Sequence, residues 1–447
     1  MYIWFGNFVH LVFPIIIHIH QRKIAISAIF LAYVVKKLYL CTLFMRAHMD
    51  DIIQYIISFL LYGNQEATQQ VGYTADQALW DNYRVVVIPN NQLGKEIVLP
   101  DLEEVKVETL HINGQNKWII RTDIIYNTFF FISRAEELIN PLRDEHGRFL
   151  AEHSILGQHN RLMIPTVDEY ARMLMKFLDL PMPTPSLSKI YLTHDVDSID
   201  QYRHWRGTLG GILRGKKHEV IAAIKDIHND PAFTFSWLIS QDKRVEAAEV
   251  VYFIKDTLGK GYDYPQYKLD SKDFKTVEQL IDNSGAKLGL HSSYYGYKST
   301  LLEVYGHLLE QQKDLPQKRI YHRSHYLCCS IDQMQHWADM GITDDFTMMF
   351  PDQVGFRLQT TRAVRWINPK TMQLTNLLLH PMTIMDCTLS NLRYMNLTED
   401  EAYFECQRLI EKIHQNAGEV VLLWHNTIIN QDGYHRALYP KLLDMLQ

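Results

Sequence analysis

Between residues 189 and 430, short apolar runs recur, and each ends in polar or ionisable residues. "KIYLTHDVD" (189–197), "EVVYFIK" (249–255), "AKLGLHSS" (286–293), "KRIYHRSHYL" (318–327) and "GEVVLLWHN" (418–426) read as strands. Helical patterns such as "FKTVEQLIDNS" (274–284) and "EDEAYFECQRLIEKIHQ" (399–415) lie between them. Alternation of this kind predicts an α/β fold with a parallel sheet or barrel. Upstream, "YRVVVIPN" (83–90) reads as a strand, and "KWIIRTDIIYNTFFFIS" (117–133) as strand or mixed apolar segments. "TVDEYARMLMKFLDL" (166–180) predicts a helix, with Thr166 and Glu169 at capping-box spacing. "PMPTPSLS" (181–188) follows, with prolines at 181, 183 and 185. Proline at that density stops a helix and stiffens a connection, which places a linker here between domains 49–180 and 189–447.

Residues 1–48 form an apolar extension of another character. Gln21-Arg22-Lys23 and Lys36-Lys37 interrupt it, and the clean run from Ile24 to Val35 is shorter than the roughly 20 residues needed to span a bilayer. No basic n-region or small-residue cleavage site marks a signal peptide. Three readings stay open: membrane-associated helices, an over-extended start upstream of Met49, or a docked helical extension.

At 447 residues the chain is long enough for about two or three domains. The 47% apolar and 12% aromatic content suits a large core and excludes a disordered chain. A net charge of −6 gives no electrostatic reason to expect nucleic acid as a partner. The five cysteines, Cys41, Cys328, Cys329, Cys387 and Cys406, include no C-x-x-C pair and suit reduced core thiols in a cytosolic setting. Cys328 and Cys329, read as strand neighbours, point to opposite faces.

Side chains alternate along a strand, so Thr193, Asp195 and Asp197 project together while His194 points away. The same count puts Arg323 and His325 on one face and His322 on the other, and sets His425 at the end of the apolar series Val421, Leu423. His291 ends another strand. Parallel α/β folds place their chemistry at the C-terminal ends of strands. One aspartate or histidine at a strand end is ordinarily a turn residue or a satisfied polar group. Four strands ending this way in one α/β stretch point to a site. His194, His204, His322 and His380 read as structural.

Such a set suits hydrolysis. A divalent ion lowers the pKa of bound water towards 7, and a mixed carboxylate and imidazole site fits Zn²⁺ or another first-row ion. A second carboxylate can accept the proton of the attacking water, and a histidine opposite can donate one to the departing group. No G-x-S-x-G elbow is present, and "GTLGG" (207–211) has the wrong spacing for a phosphate loop.

The segments "THDVD" (193–197), "GLH" (289–291), "RSHYL" (323–327), "GFR" (355–357), "MD" (385–386) and "LLWHN" (422–426) together resemble the polysaccharide deacetylase (nodulation-type deacetylase, carbohydrate esterase) family. The resemblance is closest to a bacterial branch with an extra N-terminal α/β domain, to which "FFFISRAEE" (129–137) and "DEHGRF" (144–149) are similar. It covers about 400 residues, and the order and spacing of the segments carry it. It implies a distorted, incomplete (β/α) barrel preceded by a smaller α/β domain. It further implies that Asp195 is the catalytic base, Asp197 and His291 metal ligands, Arg323 the residue orienting the base, His425 the general acid, and Asp386 the group tuning that acid. His291 opens the family's H-x-x-x-H ligand motif, but its second histidine is replaced here by Tyr295. His325, two residues beyond Arg323, is the expected substitute ligand, with Tyr295 itself or a water as weaker candidates.

The expected function is therefore metal-dependent hydrolysis, with zinc the expected ion, of an N- or O-linked acetyl group on a carbohydrate or sugar-lipid substrate of the cell envelope. Tyr295 and Tyr326 are expected to contact the sugar. Tyr294, Tyr297, Phe346 and Phe356 are further aromatic residues near the site, each equally explained by core packing. The polar loop after Asp197, "SIDQYRHWRGTLGG", is the better place for substrate contacts. The alternative is a degenerate, non-catalytic carbohydrate-binding or envelope-assembly protein of the same fold, which Tyr295 favours and the retained aspartates, Arg323 and His425 oppose. The expected location is the cytoplasm, or the inner membrane face on the reading of residues 1–48 as membrane-associated helices.

Overall fold

A computed structural model describes residues 48–255, 261–264, 267–294, 301–429 and 433–447. The expectations attached to residues 1–47, Tyr295 and Tyr297 lie outside the described residues. The chain divides into two compact units, one of residues up to 135 with 367–375, and one of residues 136–366 with 376–447.

In the first unit, β1 (Val71–Tyr73), β2 (Val85–Val87), β3 (Val107–Ile112) and β4 (Gln115–Ile120) form a sheet in the order β1-β2-β4-β3. β2 lies parallel to β1 and β4, whereas β3 folds back antiparallel on β4. Asn113 and Gly114, with φ of 50° and 78°, supply the left-handed pair that a tight hairpin needs. The ambiguous stretch 117–133 resolves into β4 and helix α1 (Ile124–Ile132), which Asp123 caps by accepting from the Tyr126 amide at 2.9 Å. All nine α1 residues are buried, so the sequence shows no polar stripe from which to read a helical period.

The second unit begins ahead of the proline-rich linker. Helix α2 (Thr166–Phe177) belongs to it, so 181–188 lies inside the unit rather than at its edge. Asp168 is the reason: its buried carboxylate accepts from the Thr361 amide at 2.7 Å and from the Thr360 and Thr361 hydroxyls at 2.8 Å each. The capping box expected at Thr166 does not form, because its hydroxyl donates to Gln359 Oε1 at 2.6 Å.

Nine strands build the main sheet: β5 (Lys189–Val196), β6 (Ala248–Lys255), β7 (Lys287–Ser292), β8 (Tyr321–Ser324), β9 (Asp344–Met348), β10 (Val364–Asn368), β11 (Gln373–Pro381), β12 (Ile384–Met385) and β13 (Glu419–Leu423). Their order is β10-β11-β9-β8-β7-β6-β5-β13-β12, and the run from β11 to β12 is parallel throughout. β10 and β12 end the order without pairing to each other, so among the described residues the sheet keeps two edges and no closed barrel forms. Helices α3 (Trp205–Leu213) and α4 (Lys217–Lys225) follow β5, and α5 (Lys272–Ser284) follows β6. Ser271 caps α5 at one end and Gly285, at φ 81°, ends it, while Phe274, Val277 and Ile281 form its buried face. The short α6 (Asp386–Ser390) follows β12, and α7 (Glu399–Gln415) opens with a Thr398–Glu401 capping box. No helix among the described residues is long and apolar enough to cross a membrane.

Candidate active site

A parallel sheet brings the C-terminal ends of its strands to one edge, and register decides which side chains meet there. Asp195 pairs with Phe253, Lys255 with His291, and His291 with Arg323. Gly289 lies beside Phe253, where a Cβ would meet that ring at 2.6 Å. The ring is needed there: the Arg323 guanidinium stacks on it, 4.5 Å from the centroid.

Arg323 is fully buried and its three nitrogens are engaged. Nη1 donates to Asp195 Oδ1 at 2.8 Å, Nη2 to Thr193 Oγ1 at 2.8 Å, and Nε to the Phe346 carbonyl at 3.0 Å. Asp195 is thereby fixed by one oxygen, and its Oδ2 faces His291 Nε2 at 3.5 Å and His425 Nε2 at 3.8 Å. Burial alone would raise the Asp195 pKa, but His291, Arg323 and His425 pull it below the usual carboxylate value, so it is an anion at neutral pH.

Asp197, His291 and His325 converge, with one ligand-type atom from each within 4.8 Å of the others. His291 Nε2 stands 3.5 Å from Asp197 Oδ1, and His325 Nε2 stands 3.2 Å from the same oxygen. Tetrahedral coordination with bonds of about 2.0–2.1 Å sets neighbouring ligand atoms about 3.3 Å apart. Both imidazoles are oriented from behind. His291 Nδ1 lies 3.0 Å from the Arg323 carbonyl, and His325 Nδ1 lies 2.8 Å from Asp263 Oδ1. With Nδ1–H donating to those acceptors, each Nε2 presents a lone pair to the site. His291 Nε2 and Asp197 Oδ1 are both buried without a hydrogen bond. Two acceptors aimed at one spot without a donor is the pattern a cation resolves. The donor set fits a divalent first-row ion.

His325 reaches this position by a route the strand alternation did not foresee. β8 stops at Ser324, and His325 opens a 3₁₀ turn rather than continuing the strand. Tyr326 and Leu327 then take left-handed φ of 58° and 57°, a conformation that costs bulky residues about 1–3 kcal/mol each. The same turn places Cys328 and Cys329 after the strand, so their expected alternation across a sheet does not apply.

His425 follows β13. Its Nδ1 lies 2.8 Å from Asp386 Oδ1, and its amide donates to Asp386 Oδ2 at 2.6 Å, leaving Nε2 towards Asp195 and 4.0 Å from Asp197 Oδ2. Burial would lower its pKa; the Asp386 carboxylate outweighs that and holds it well above the ordinary imidazole value. Asp386, Cys387 and His425 form a second group of ligand-type atoms. There Nδ1–H is already engaged by Asp386, and burial pushes the Cys387 thiol up to about 11, so the group supports the imidazolium rather than an ion.

A cavity of about 430 Å³ opens on these residues, with Asp195, Asp197, His325 and His425 in its wall. Tyr326 lines it, beside Tyr262 and within a ring cluster that includes Tyr294 and His146. Phe346 and Phe356 are core residues instead. The four histidines read as structural are all held: His194 by the Trp424 carbonyl and Asp242, His322 by Asp345 and Ser292, His204 by Asp200, and His380 by Glu419 and Asp344.

Three residues escaped the sequence reading. Lys255, buried and in the cavity wall, is the last inward residue of β6, and counting inward from Phe253 would have found it. Burial lowers its pKa, while Asp197 and Asp263 act in the opposite direction. Asp263 closes the three-residue 3₁₀ turn Gly261–Asp263, too short for a period to mark it. Arg148 lines the cavity from ahead of the linker, held by Asp144 and by the Tyr394 hydroxyl at 2.8 Å.

Residues 15–183 match the model of a family of unknown function, DUF7033, whose end coincides with the proline-rich stretch. No curated protein matches the sequence. Among solved structures, a protein from Mycobacterium smegmatis provisionally named polysaccharide deacetylase aligns at 12% identity and a TM-score of 0.37, covering 60% of this chain and 87% of that one. A superposition that loose carries no argument about this site.

Proposed function

We propose that this chain is a metal-dependent hydrolase that removes an acetyl group from a carbohydrate or sugar-lipid substrate. One observation carries the reading: Asp195 Oδ2, the unpartnered pair of Asp197 Oδ1 and His291 Nε2, and His425 Nε2 converge where Asp195, Asp197 and His425 line one cavity, with Asp195, His291 and His425 braced from behind. Asp197, His291 and His325 would hold the ion. When bound, a divalent ion supplies a low-pKa water and polarises the acyl carbonyl.

The remaining chemistry belongs to the chain's own groups. Arg323 keeps Asp195 ionised and turns Oδ2 inward, ready to accept the proton of the attacking water. His425, kept protonated by Asp386, donates from Nε2 to the departing nitrogen or oxygen. The sequence resemblance to polysaccharide deacetylases supports acetyl as the acyl group. The Tyr262 and Tyr326 rings in the cavity wall suit the apolar face of a sugar.

The test is acetate release from acetylated sugars together with metal analysis. Asp195→Asn should keep the ion and lose about 10²–10⁴ in turnover, the usual contribution of a general base. Asp197→Ala should lose the ion. A metal-loaded parent inert on every acetylated sugar, or an Asp195→Asn variant of undiminished turnover, removes the assignment.

A further inference from the structure

The loop and helices after Asp197 carry a surface that hydrolysis does not explain. On α3, Trp205, Leu209, Ile212 and Leu213 are exposed, at the i, i+4, i+7, i+8 spacing of a single stripe. Ile221 and Ile224 of α4 add to it, so six large apolar side chains, 41–78% exposed, fall within twenty residues. This stripe is not a misread core face. The inner sides of the two helices are occupied, with Tyr202, Val220 and Ala223 in a small buried cluster and Gly211 packed against Tyr202 and Val220.

Charge names the partner. Segment 205–225 holds five exposed basic residues, Arg206, Arg214, Lys216, Lys217 and Lys225, against one acidic residue, Glu219, in a chain of net charge −6. Arg206, Arg214 and Lys216, beside Asp200 and Glu219, also line a second cavity, of about 910 Å³, which shares Thr427 with the catalytic one. A second copy of the same face would set like charges against like. Residues 1–48, with five basic residues and no acidic one, are equally poor company for it. An anionic bilayer matches both halves of the pattern, apolar side chains for the acyl boundary and cations for the headgroups.

We propose that α3 and α4 dock the protein on an anionic lipid bilayer, with Trp205, Leu209 and Leu213 inserted at the interface. On the deacetylase reading, which the docking itself does not require, the substrate is then a membrane-borne acetyl sugar, its anionic lipid linkage beside Arg206, Arg214 and Lys216.

Co-sedimentation of the full chain with vesicles tests this without reference to turnover, so a failed deacetylase assignment leaves it standing. Vesicles about one-third phosphatidylglycerol should bind the protein, salt should weaken the binding, and phosphatidylcholine alone should bind it poorly. Losing the insertion of one leucine is worth about tenfold in partitioning, so Leu209→Glu with Leu213→Glu should reduce binding at least that much. An unchanged melting temperature would verify that the exposed substitutions leave the fold intact. As a second reading, brominated lipid should quench a fluorescence component that Trp205→Phe removes. Binding that survives the double substitution, that ignores lipid charge, or that is absent in the parent overturns the proposal. So does a double variant whose only change is dissociation of a homodimer.

Discussion

Replacing His325 with alanine separates this site from a conventional reading of the H-x-x-x-H motif. If Asp197, His291 and His325 are the ligands, an added ion stabilises the second unit by RT ln(1 + [M]/Kd), about 2.7 kcal/mol at a concentration 100-fold above Kd. For a unit of this size that raises the melting temperature by roughly 5 °C. The distances of 3.2 and 3.5 Å to Asp197 Oδ1 make His325 as close a partner as His291. Its loss should weaken affinity by at least the 100-fold upper range for outer-sphere partners, leaving about 0.4 kcal/mol at the same metal concentration. Asp263→Asn, which disturbs the 2.8 Å brace on His325 Nδ1 and the 2.8 Å bond that Oδ1 accepts from the Tyr294 amide, should weaken affinity about tenfold and leave about 1.4 kcal/mol. Asp195→Asn should keep nearly the full shift, because Arg323 holds that carboxylate on the other side. Scanning fluorimetry of chelated protein titrated with Zn²⁺ reads the parent and all three variants. A His325→Ala protein that gains as much as the parent refutes the ligand assignment, and an Asp195→Asn protein that gains nothing refutes the division of roles.

Other substitutions probe the surroundings. Gly289→Ala forces a Cβ to within 2.6 Å of the Phe253 ring on which Arg323 stacks, so it should cost about 1–3 kcal/mol in urea denaturation; a neutral result means the ring is free to move. Lys255→Met removes a cation whose field reaches Asp197, so chelator competition should show metal bound roughly tenfold more tightly, and weaker binding would contradict the reading. His380, buried between Asp344 and Glu419, is raised from 6.5 to about 9 despite burial acting against it. A raised histidine stabilises fully below its unfolded pKa and loses that contribution as pH climbs through the folded one. The unfolding free energy should therefore fall between pH 6.5 and 9.5 by up to about 3 kcal/mol in denaturant titrations, and His380→Gln should flatten the profile.

Much of the site was legible because strand chemistry is periodic. Asp195, Asp197, His291, Arg323 and His425 could be placed by counting alternate residues to the end of each apolar run. Helix α1 was not legible, since burial on every side erases its period. Asp263 and Arg148 were missed for a different reason: one stands in a three-residue 3₁₀ turn and the other in irregular chain, where tertiary packing alone decides direction. His325 was chosen for a strand alternation it does not follow, and arrives through the turn at Tyr326 and Leu327. The limits of the second unit depend on Asp168 and its threonine partners, nearly two hundred residues away, which no local reading of the prolines can reveal.

Drawing its ligands from Asp197, His291 and His325, with Asp263 behind them, gives a bound ion a topological effect as well as a chemical one. It would clasp chain segments 94 and 34 residues apart, and so act as a reversible crosslink that closes loops in the unfolded ensemble. Chelation should then loosen β5 to β8 together, leaving the sheet edge at β10 and β11 comparatively undisturbed. Amide exchange along those strands would trace that clasp, one strand at a time.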